Sequence, residues 1–583
     1  MKKFQRIMAL LAAISLFVFA LSTVLVLFAD TTSSSLQKST PQMHALPDNH
    51  DTLGEYTQYL PLINNSEMEC DVPQHYLYIQ EAVDEPTCSL INVAAGTFFE
   101  NVVIDRDVTI HGAGVTNSIV DGNNSGTVFD IQPGHEVTLN GLTIRNGMSL
   151  SPGSRGGGIR VYTGTLTITD SLIVTNTALS GAGIYGYASK ITIHQSQVVS
   201  NSFGGGIQSM YGTLVVQNST LSSNSTAGAG GGISGSNGTL VIRNSTLSDN
   251  SAFDGGGIRS DGINITIDNS TLNDNHASNN GGGIYSYSGT LTFNNSTLSG
   301  NSALYYGGGI LLTSYCPLSG GVVILNNSTL NNNSAYIGGG VFRNNCSKML
   351  VIAGTIIAGK SNTDCYGAII SQGYNIVGDS SCNLNGPGDM NDIDPQLGPL
   401  QDNGGLTQTH LPLPDSPAID TGDPLNCPPT DQRGTPRPND GDGDDNAVCD
   451  IGSVEYYVLS PFSGVEIQGP ITGSAQTNYT FTAVITPITA TQPITYVWQT
   501  AGQTPVTHTG GISDTAVFSW DTSGTHVLTV TASNPVNSAT ASISVTILEP
   551  QFLVYPLIVN KNCAESKLFV CHSHFRGNPI AVR

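Results

Sequence analysis

Positive charge is scarce in this chain. Lys and Arg number 20 among 583 residues against 43 Asp and Glu, a formal charge of −23. A nucleic-acid partner needs a basic footprint on the protein, so none is expected. Strong helix formers are sparse across runs rich in Gly, Asn, Ser and Thr, which excludes a helical solenoid. No two cysteines stand as Cys-x-x-Cys, and the zinc-hydrolase and nucleophile-elbow phrases His-Glu-x-x-His and Gly-x-Ser-x-Gly are missing. The usual sequence signals for zinc and for serine hydrolysis are therefore absent. Hydrophobic residues still make up 39%, enough for a folded core.

What the chain has instead is glycine, 67 residues of it, and a repeat. A glycine triplet followed by an aliphatic residue recurs every 23 to 31 residues. It begins with Gly156-Gly157-Gly158-Ile159 and the variant Gly181-Ala182-Gly183-Ile184, then precedes Ile207, Ile233, Ile258, Ile284, Ile310 and Val341. A second phrase, Asn-Ser-Thr-Leu, starts at Asn218, Asn244, Asn269, Asn295 and Asn327. A fixed period of this size means one supersecondary unit stacked many times.

Within one repeat the apolar pattern has period two, the mark of strands. Ile284–Ser288 and Thr290-Leu291-Thr292-Phe293 alternate, and Ser296–Leu298 forms a third short segment. Three short strands and three turns in about 25 residues predict one coil of a right-handed parallel β-helix. Ile284, Leu291, Phe293 and Leu298 should point inward and the threonines outward. Coils about 4.8 Å apart stack equivalent residues into columns. Asn176, Asn201, Asn224, Asn250, Asn275, Asn301 and Asn333 form one such column and should bond as an amide ladder. Packing at a turn explains the Asn-Ser-Thr sequons better than glycosylation does.

The N-terminus reads as an export signal over residues 1–29, with Lys2, Lys3 and Arg6 before an apolar run from Ile7 to Ala29. That run is long enough to remain as an anchor if uncleaved, the one route to a membrane. A Thr/Ser-rich linker occupies 30–65. The ten cysteines fall into local couples: Cys70 and Cys88, Cys316 and Cys346, Cys365 and Cys382, Cys427 and Cys449, Cys563 and Cys571. An even number in an exported chain points to disulfides, with connectivity left open.

Several phrases resemble known families. Ile91-Asn92-Val93-Ala94-Ala95-Gly96-Thr97, Val108–Gly114 and Val137–Ile144 resemble the opening coils of pectin-lyase-like β-helix proteins. The central glycine-triplet and Leu-Ser-x-Asn phrases resemble repeats of polymorphic outer-membrane proteins. Downstream come Thr355–Gly359, Gly373–Asp379, Leu397–Gly405, Ser416–Asp420, Asp431-Gln432-Arg433-Gly434 and Cys449–Gly452. Together they resemble the choice-of-anchor Q domain of secreted bacterial β-helix proteins, which implies export and architecture but no settled reaction. The pectinesterase phrases Gln-Asp-Thr-Leu and Asp-Phe-Ile-Phe are absent. Beyond Tyr457, short alternating segments from Tyr479 to Ile547 resemble an immunoglobulin-like or PKD-type β-sandwich with Trp498 in its core. The organisation expected is an all-β chain: β-helix over 66–354, anchor-Q-like coils and cap over 355–456, sandwich over 457–549, and a tail over 550–583.

Three constellations carry chemistry. Beside the glycine turns, Arg160, Tyr185, Gln208, Arg259 and Tyr285 fall in one column, and Tyr162, Tyr187, Asp261 and Tyr287 in the next. An outward ribbon of tyrosines suits sugar rings, which stack on aromatic faces and hydrogen-bond to hydroxyls. Tyrosine also favours exposed strand positions for its own sake, and both readings stay open. Asp440, Asp442 and Asp444 alternate along a glycine-rich loop and can converge on calcium, or form a solvated turn between Cys427 and Cys449. Asp249 and Asp274 sit at equivalent places on adjacent coils, about 5 Å apart, as a retaining glycosidase would need; solvated turn residues are the alternative. Gly354–Ser361 matches the P-loop pattern, but β-branched residues fill it and no helix follows, so no nucleotide partner is expected.

The function expected is adhesion or polysaccharide binding at a bacterial cell surface or in the medium, without catalysis. Polysaccharide lyase or glycoside hydrolase activity, and a structural spacer, are the alternatives.

Overall fold

The computed structural model describes residues 70–549 apart from 315–320, 345–348, 361–362, 458–460, 489, 491–493 and 535. The leader and linker, Cys316, Cys346, Cys563, Cys571 and the tail lie outside the described residues.

Each repeat lays down three strands in succession. In the coil that begins at Ile258 these are Ile258–Asp261, Asn264–Asp268 and Thr271–Asn273. Each pairs in parallel with its equivalent one repeat later: Ile258 with Ile284, Ile265 with Leu291, Leu272 with Leu298. Iteration gives a parallel β-solenoid of three sheets. The first sheet has thirteen strands and includes Asn264–Asp268; the second has thirteen and includes Thr271–Asn273; the third has eleven and includes Ile258–Asp261.

The core is the space these sheets enclose. Ile159, Ile184, Ile207, Ile233, Ile258, Ile284 and Ile310 stack as one buried column, and Leu291, Phe293 and Leu298 are buried as the alternation predicts. Each such side chain contributes roughly 1.5–3 kcal/mol, so a one-residue slip that turned them outward would be prohibitive. The glycine triplet has two physical causes. Gly281 takes φ +66°, a left-handed conformation that a Cβ opposes. Gly283 is needed for clearance, because a Cβ there would lie 2.6 Å from the carbonyl oxygen of Gly309.

The asparagine ladder is present and fully buried. At each step from Asn176 to Asn333, the backbone N–H and the Nδ2 of one asparagine both donate to the Oδ1 of the next, at 2.9–3.1 Å. The remaining Nδ2 hydrogen reaches back to a strand carbonyl, as from Asn250 to Leu221.

A second ladder, of serines, runs beside it. Ser171, Ser196, Ser219, Ser245, Ser270, Ser296 and Ser328 are buried, and each Oγ from Ser196 onward accepts the backbone N–H of the serine one coil earlier, at 3.0–3.3 Å. The Asn-Ser-Thr phrase is thereby explained residue by residue. Asn218, Asn244, Asn269, Asn295 and Asn327 turn the corner at φ 45–49°, a conformation asparagine tolerates. The serine enters the ladder, and the threonine starts the second-sheet strand.

The N-terminal end is closed by the short helix Ile79–Asp84. Glu100 accepts from the backbone N–H groups of Ile79 and Gln80 at 2.9 and 3.0 Å, and the Cys70–Cys88 disulfide ties the segment to the first coils. Residues 355–391 add the last rungs, with a Cys365–Cys382 disulfide. The rest of the segment to Tyr456 runs back along the second sheet rather than only closing the end. Its antiparallel strands Leu397–Gln401 and Thr409–Pro412 and the loops to Tyr456 meet the outward threonines. Thr271 donates to the Gln408 carbonyl at 2.6 Å, Thr297 to Gln432 at 2.7 Å, and Ser453 pairs with Thr329 at 3.1 Å.

A buried ionic cluster knots this returning segment. Arg433 pairs with Asp431 at 2.7 Å, and Arg437, whose side chain is wholly buried, lies 3.4 Å from Glu455 and donates to the carbonyls of Asp450 and Gly452. Burial, and next the Glu455 charge, push the Asp450 carboxyl up to about 8.

After residue 460 the chain forms a β-sandwich. One sheet holds Gly464–Gln468, Tyr479–Thr486 and Ser513–Phe518; the other holds Thr472–Ser474, Ser538–Leu548, Gly524–Ser533, Ile494–Thr500 and Val506–Gly510. Trp498 is fully buried, as expected, and donates to Asp514 at 2.7 Å. Among the described residues, no helix is long and apolar enough to cross a membrane.

Candidate functional site

The outer face of the third sheet carries the tyrosines. Strand register fixes one column: Arg160, Tyr185, Gln208, Ser234, Arg259, Tyr285, Leu311, Phe342 and Tyr366 lie on consecutive coils. Tyr162, Tyr187, Met210, Ser236, Asp261, Tyr287 and Thr313 fill the column beside it. A single ribbon was expected. The structure instead shows two aromatic patches separated by the coil of Ser234.

The first patch holds Tyr162, Tyr185, Tyr187 and Tyr211. Their rings tilt against one another, with centroids 5.8 Å apart for Tyr162–Tyr185, 6.1 Å for Tyr162–Tyr187 and 5.5 Å for Tyr187–Tyr211. Tyr187 and Tyr211 are exposed, but Tyr185 is not. The Arg155 guanidinium lies 5.0 Å from the Tyr185 ring and donates to its hydroxyl, which itself approaches Met210 Sδ at 3.6 Å. Burial raises the Tyr185 phenol. Tyr185 is thus packing for the patch, a correction to its expected outward exposure. Arg160 is committed to Asp130 through a two-pronged ion pair.

The second patch begins at Arg259, whose Cζ sits 3.9 Å from the Tyr285 ring centroid. Arg259 also pairs with Asp254 at 3.3 Å and with Asp261 at 2.9 Å, so its charge is compensated. Tyr285 and Tyr287 are half-buried. Beyond them the rings of Tyr306, Phe342 and Tyr366 follow in a stack, with centroids 4.6 and 4.7 Å apart and the second pair within 7° of parallel. A cavity of about 320 Å³ lies here, lined by Tyr285, Tyr306, Leu311, Phe342 and Tyr366 with the polar groups of Asn280, Thr313 and Asn344. Tyr306, Phe342 and Tyr366 were missed in the sequence. The signal was available: each of Phe342 and Tyr366 follows the inward aliphatic or cysteine of its coil, the rule that picks out Tyr285.

Asp249 and Asp274 face solvent at left-handed corners, with φ 56° and 52°. Asp274 accepts from the Asn273 amide at 3.0 Å, and its other oxygen lies over Gly300 of the next coil, where a Cβ would come within 2.3 Å. Among the described residues no salt bridge joins either aspartate to Arg or Lys.

The acidic loop is assembled differently from the expected triad. Asp420, Asp440 and Asp442 each offer one oxygen within 4.8 Å of the others, while Asp444 caps the N–H of Asn446 and stands outside the group. Asp420 enters because its carboxylate accepts from the N–H groups of both Gly441 and Asp442 at 2.8 Å. The Cys427–Cys449 disulfide closes the loop.

Two family models match parts of the chain. A right-handed beta helix family matches residues 102–261, and the PKD domain family matches residues 464–547. Among solved structures, the PKD domain of an M14-like peptidase from Thermoplasmatales archaeon SCGC AB-540-F20 aligns at 24% identity over 98% of its chain and 15% of this one, with a TM-score of 0.14. No curated protein matches. The pectin-lyase-like, polymorphic-outer-membrane and anchor-Q resemblances rest on the sequence phrases alone. The chain therefore combines a right-handed parallel β-helix with a PKD-like β-sandwich and carries disulfides, a combination compatible with an extracellular surface protein.

Proposed function

We propose that this is an exported surface protein whose β-helix binds glycan on the outer face of the third sheet, without catalysis, and so serves adhesion. The observation that carries this reading is the pair of aromatic patches, on one rigid face, flanked by hydroxyl and amide groups. Rigid aromatic rings bind sugars with little loss of side-chain freedom. Retention on a panel of insoluble and immobilised polysaccharides tests it. Tyr285→Ala with Tyr287→Ala should weaken retention on whichever polysaccharide holds the protein, and wild-type retention by both this variant and Tyr187→Ala with Tyr211→Ala would refute the assignment.

Lyase or glycosidase activity is the weaker reading, because Asp249 and Asp274 stand on open corners without the apolar surroundings that hold a carboxyl protonated for acid catalysis. Release of reducing sugar or unsaturated product would reinstate it. Calcium is proposed as a structural ligand of Asp420, Asp440 and Asp442 on donor chemistry: oxygens about 2.4 Å from a shared cation lie within about 4.8 Å of one another.

A further inference from the structure

We infer that the cavity beside Tyr285 and Tyr306 is a subsite for one pyranose ring of an uncharged glycan. This rests on the glycan-binding reading above and narrows it to one place and one ligand class.

The solenoid makes this cavity by interrupting its own aromatic column. Tyr285 is followed one coil later by Leu311, a shorter side chain that forms a floor with only 4% of its surface exposed. Phe342 resumes the rings on the coil after that. Tyr306, from the turn before the glycine triplet, leans to within 4.6 Å of Phe342 and so joins the stack above Leu311. Four rings line the opening, Tyr285, Tyr306, Phe342 and Tyr366; Tyr285 is also engaged by Arg259, and Tyr306 by Phe342 and Tyr305. A ligand in the cavity meets these rings.

Size and polarity select the occupant. A volume of about 320 Å³ stands at the lower end of small-molecule sites, which run from roughly 300 to 1,000 Å³, and suits one sugar ring of a chain that continues past it. The polar groups are amides and a hydroxyl, from Asn280, Asn344 and Thr313, which serve ring hydroxyls as donors and acceptors. Asn280 is held in place by donating to Asp254 through both its backbone N–H and its Nδ2.

Among the described residues, none that lines the cavity is charged. Arg259, which lies over the Tyr285 ring, is already neutralised by Asp254 and Asp261. A uronate carboxylate would therefore lose its hydration against aromatic carbon without gaining a counter-ion, inside a chain of charge −23. Uncharged pyranosides escape that penalty.

The test uses the full chain and calorimetric titration with cellohexaose, mannohexaose, maltohexaose and hexagalacturonate. We expect a neutral hexaose to bind, Tyr306→Ala to weaken it roughly tenfold, and Tyr306→Phe to retain most of the affinity. Thr313→Trp, which fills the mouth without removing a stacked ring, should weaken binding as well, so the subsite stays testable if Tyr306→Ala unfolds. Loss of binding in Tyr187→Ala/Tyr211→Ala with Tyr306→Ala and Thr313→Trp unaffected would move the site to the first patch, overturning the inference and sparing the glycan reading. Preference for hexagalacturonate would overturn the ligand class in the same way. Binding of no glycan here or on the polysaccharide panel would remove both.

Discussion

Replacing Asn250 by alanine removes a known set of bonds from the middle of the solenoid. Its Oδ1 accepts the backbone N–H and the Nδ2 of Asn224, each at 3.0 Å. Its Nδ2 donates to the Leu221 carbonyl at 3.0 Å and to Asn275 at 2.9 Å. Two of the four partners keep other bonds: Asn224 Nδ2 still reaches Val198, and Asn275 Oδ1 still receives the N–H of residue 250. The Asn224 N–H does not, and a buried donor left without an acceptor costs about 1–3 kcal/mol. Adding the ordinary net worth of the other bonds brings the loss to about 3–5 kcal/mol. Asn333→Ala, at the C-terminal end of the ladder, should cost less, because Asn333 has no further ladder asparagine to donate to. Both tryptophans, Trp498 and Trp520, lie in the sandwich, so indole fluorescence follows that domain while far-UV circular dichroism in denaturant follows mostly the solenoid. The dichroism midpoint should fall and the fluorescence midpoint should not. A dichroism midpoint within about 0.5 kcal/mol of wild type would refute the ladder as a source of stability.

Gly283→Ala should destabilise the solenoid by about 1–3 kcal/mol or more by the dichroism midpoint, since the new methyl meets the Gly309 carbonyl, whereas Gly464→Ala in the sandwich, with open space around it, should shift the fluorescence midpoint by less than about 0.5 kcal/mol. Asp450, held near 8 when folded against about 4 when unfolded, binds its proton more tightly in the native state across that window. Stability should therefore fall as pH rises from about 4 toward about 8. Asp450→Asn should flatten that slope while lowering stability at acid pH, because its amide N–H₂ would face a backbone donor at Asp420 or Tyr456. Calcium added to chelator-treated protein should raise the melting temperature of wild type but not of Asp440→Asn, and an unchanged wild-type value would remove the cation from the acidic loop.

The sequence by itself determined the rungs. Period-two alternation decides which side chains face in, the glycine triplet marks the corner that a Cβ would obstruct, and a near-constant period places like residues on like coils. That is why Ile284, Leu291, Phe293, Leu298 and the asparagine column could be read directly, and why three cysteine couples close in sequence, Cys70 with Cys88, Cys365 with Cys382 and Cys427 with Cys449, are disulfides. The site was only half legible. Column membership follows from register, but exposure depends on what leans across from elsewhere: Arg155 covers Tyr185, and Tyr306 reaches from a turn to stack on Phe342. Asp420 joins Asp440 and Asp442 across some twenty residues of loop for the same reason, since its backbone amide partners, not its spacing, bring it there. Repetition is a local property and is written along the chain, whereas cavities and covered faces arise where non-repeating segments fold back on the repeat, and only the tertiary structure decides those.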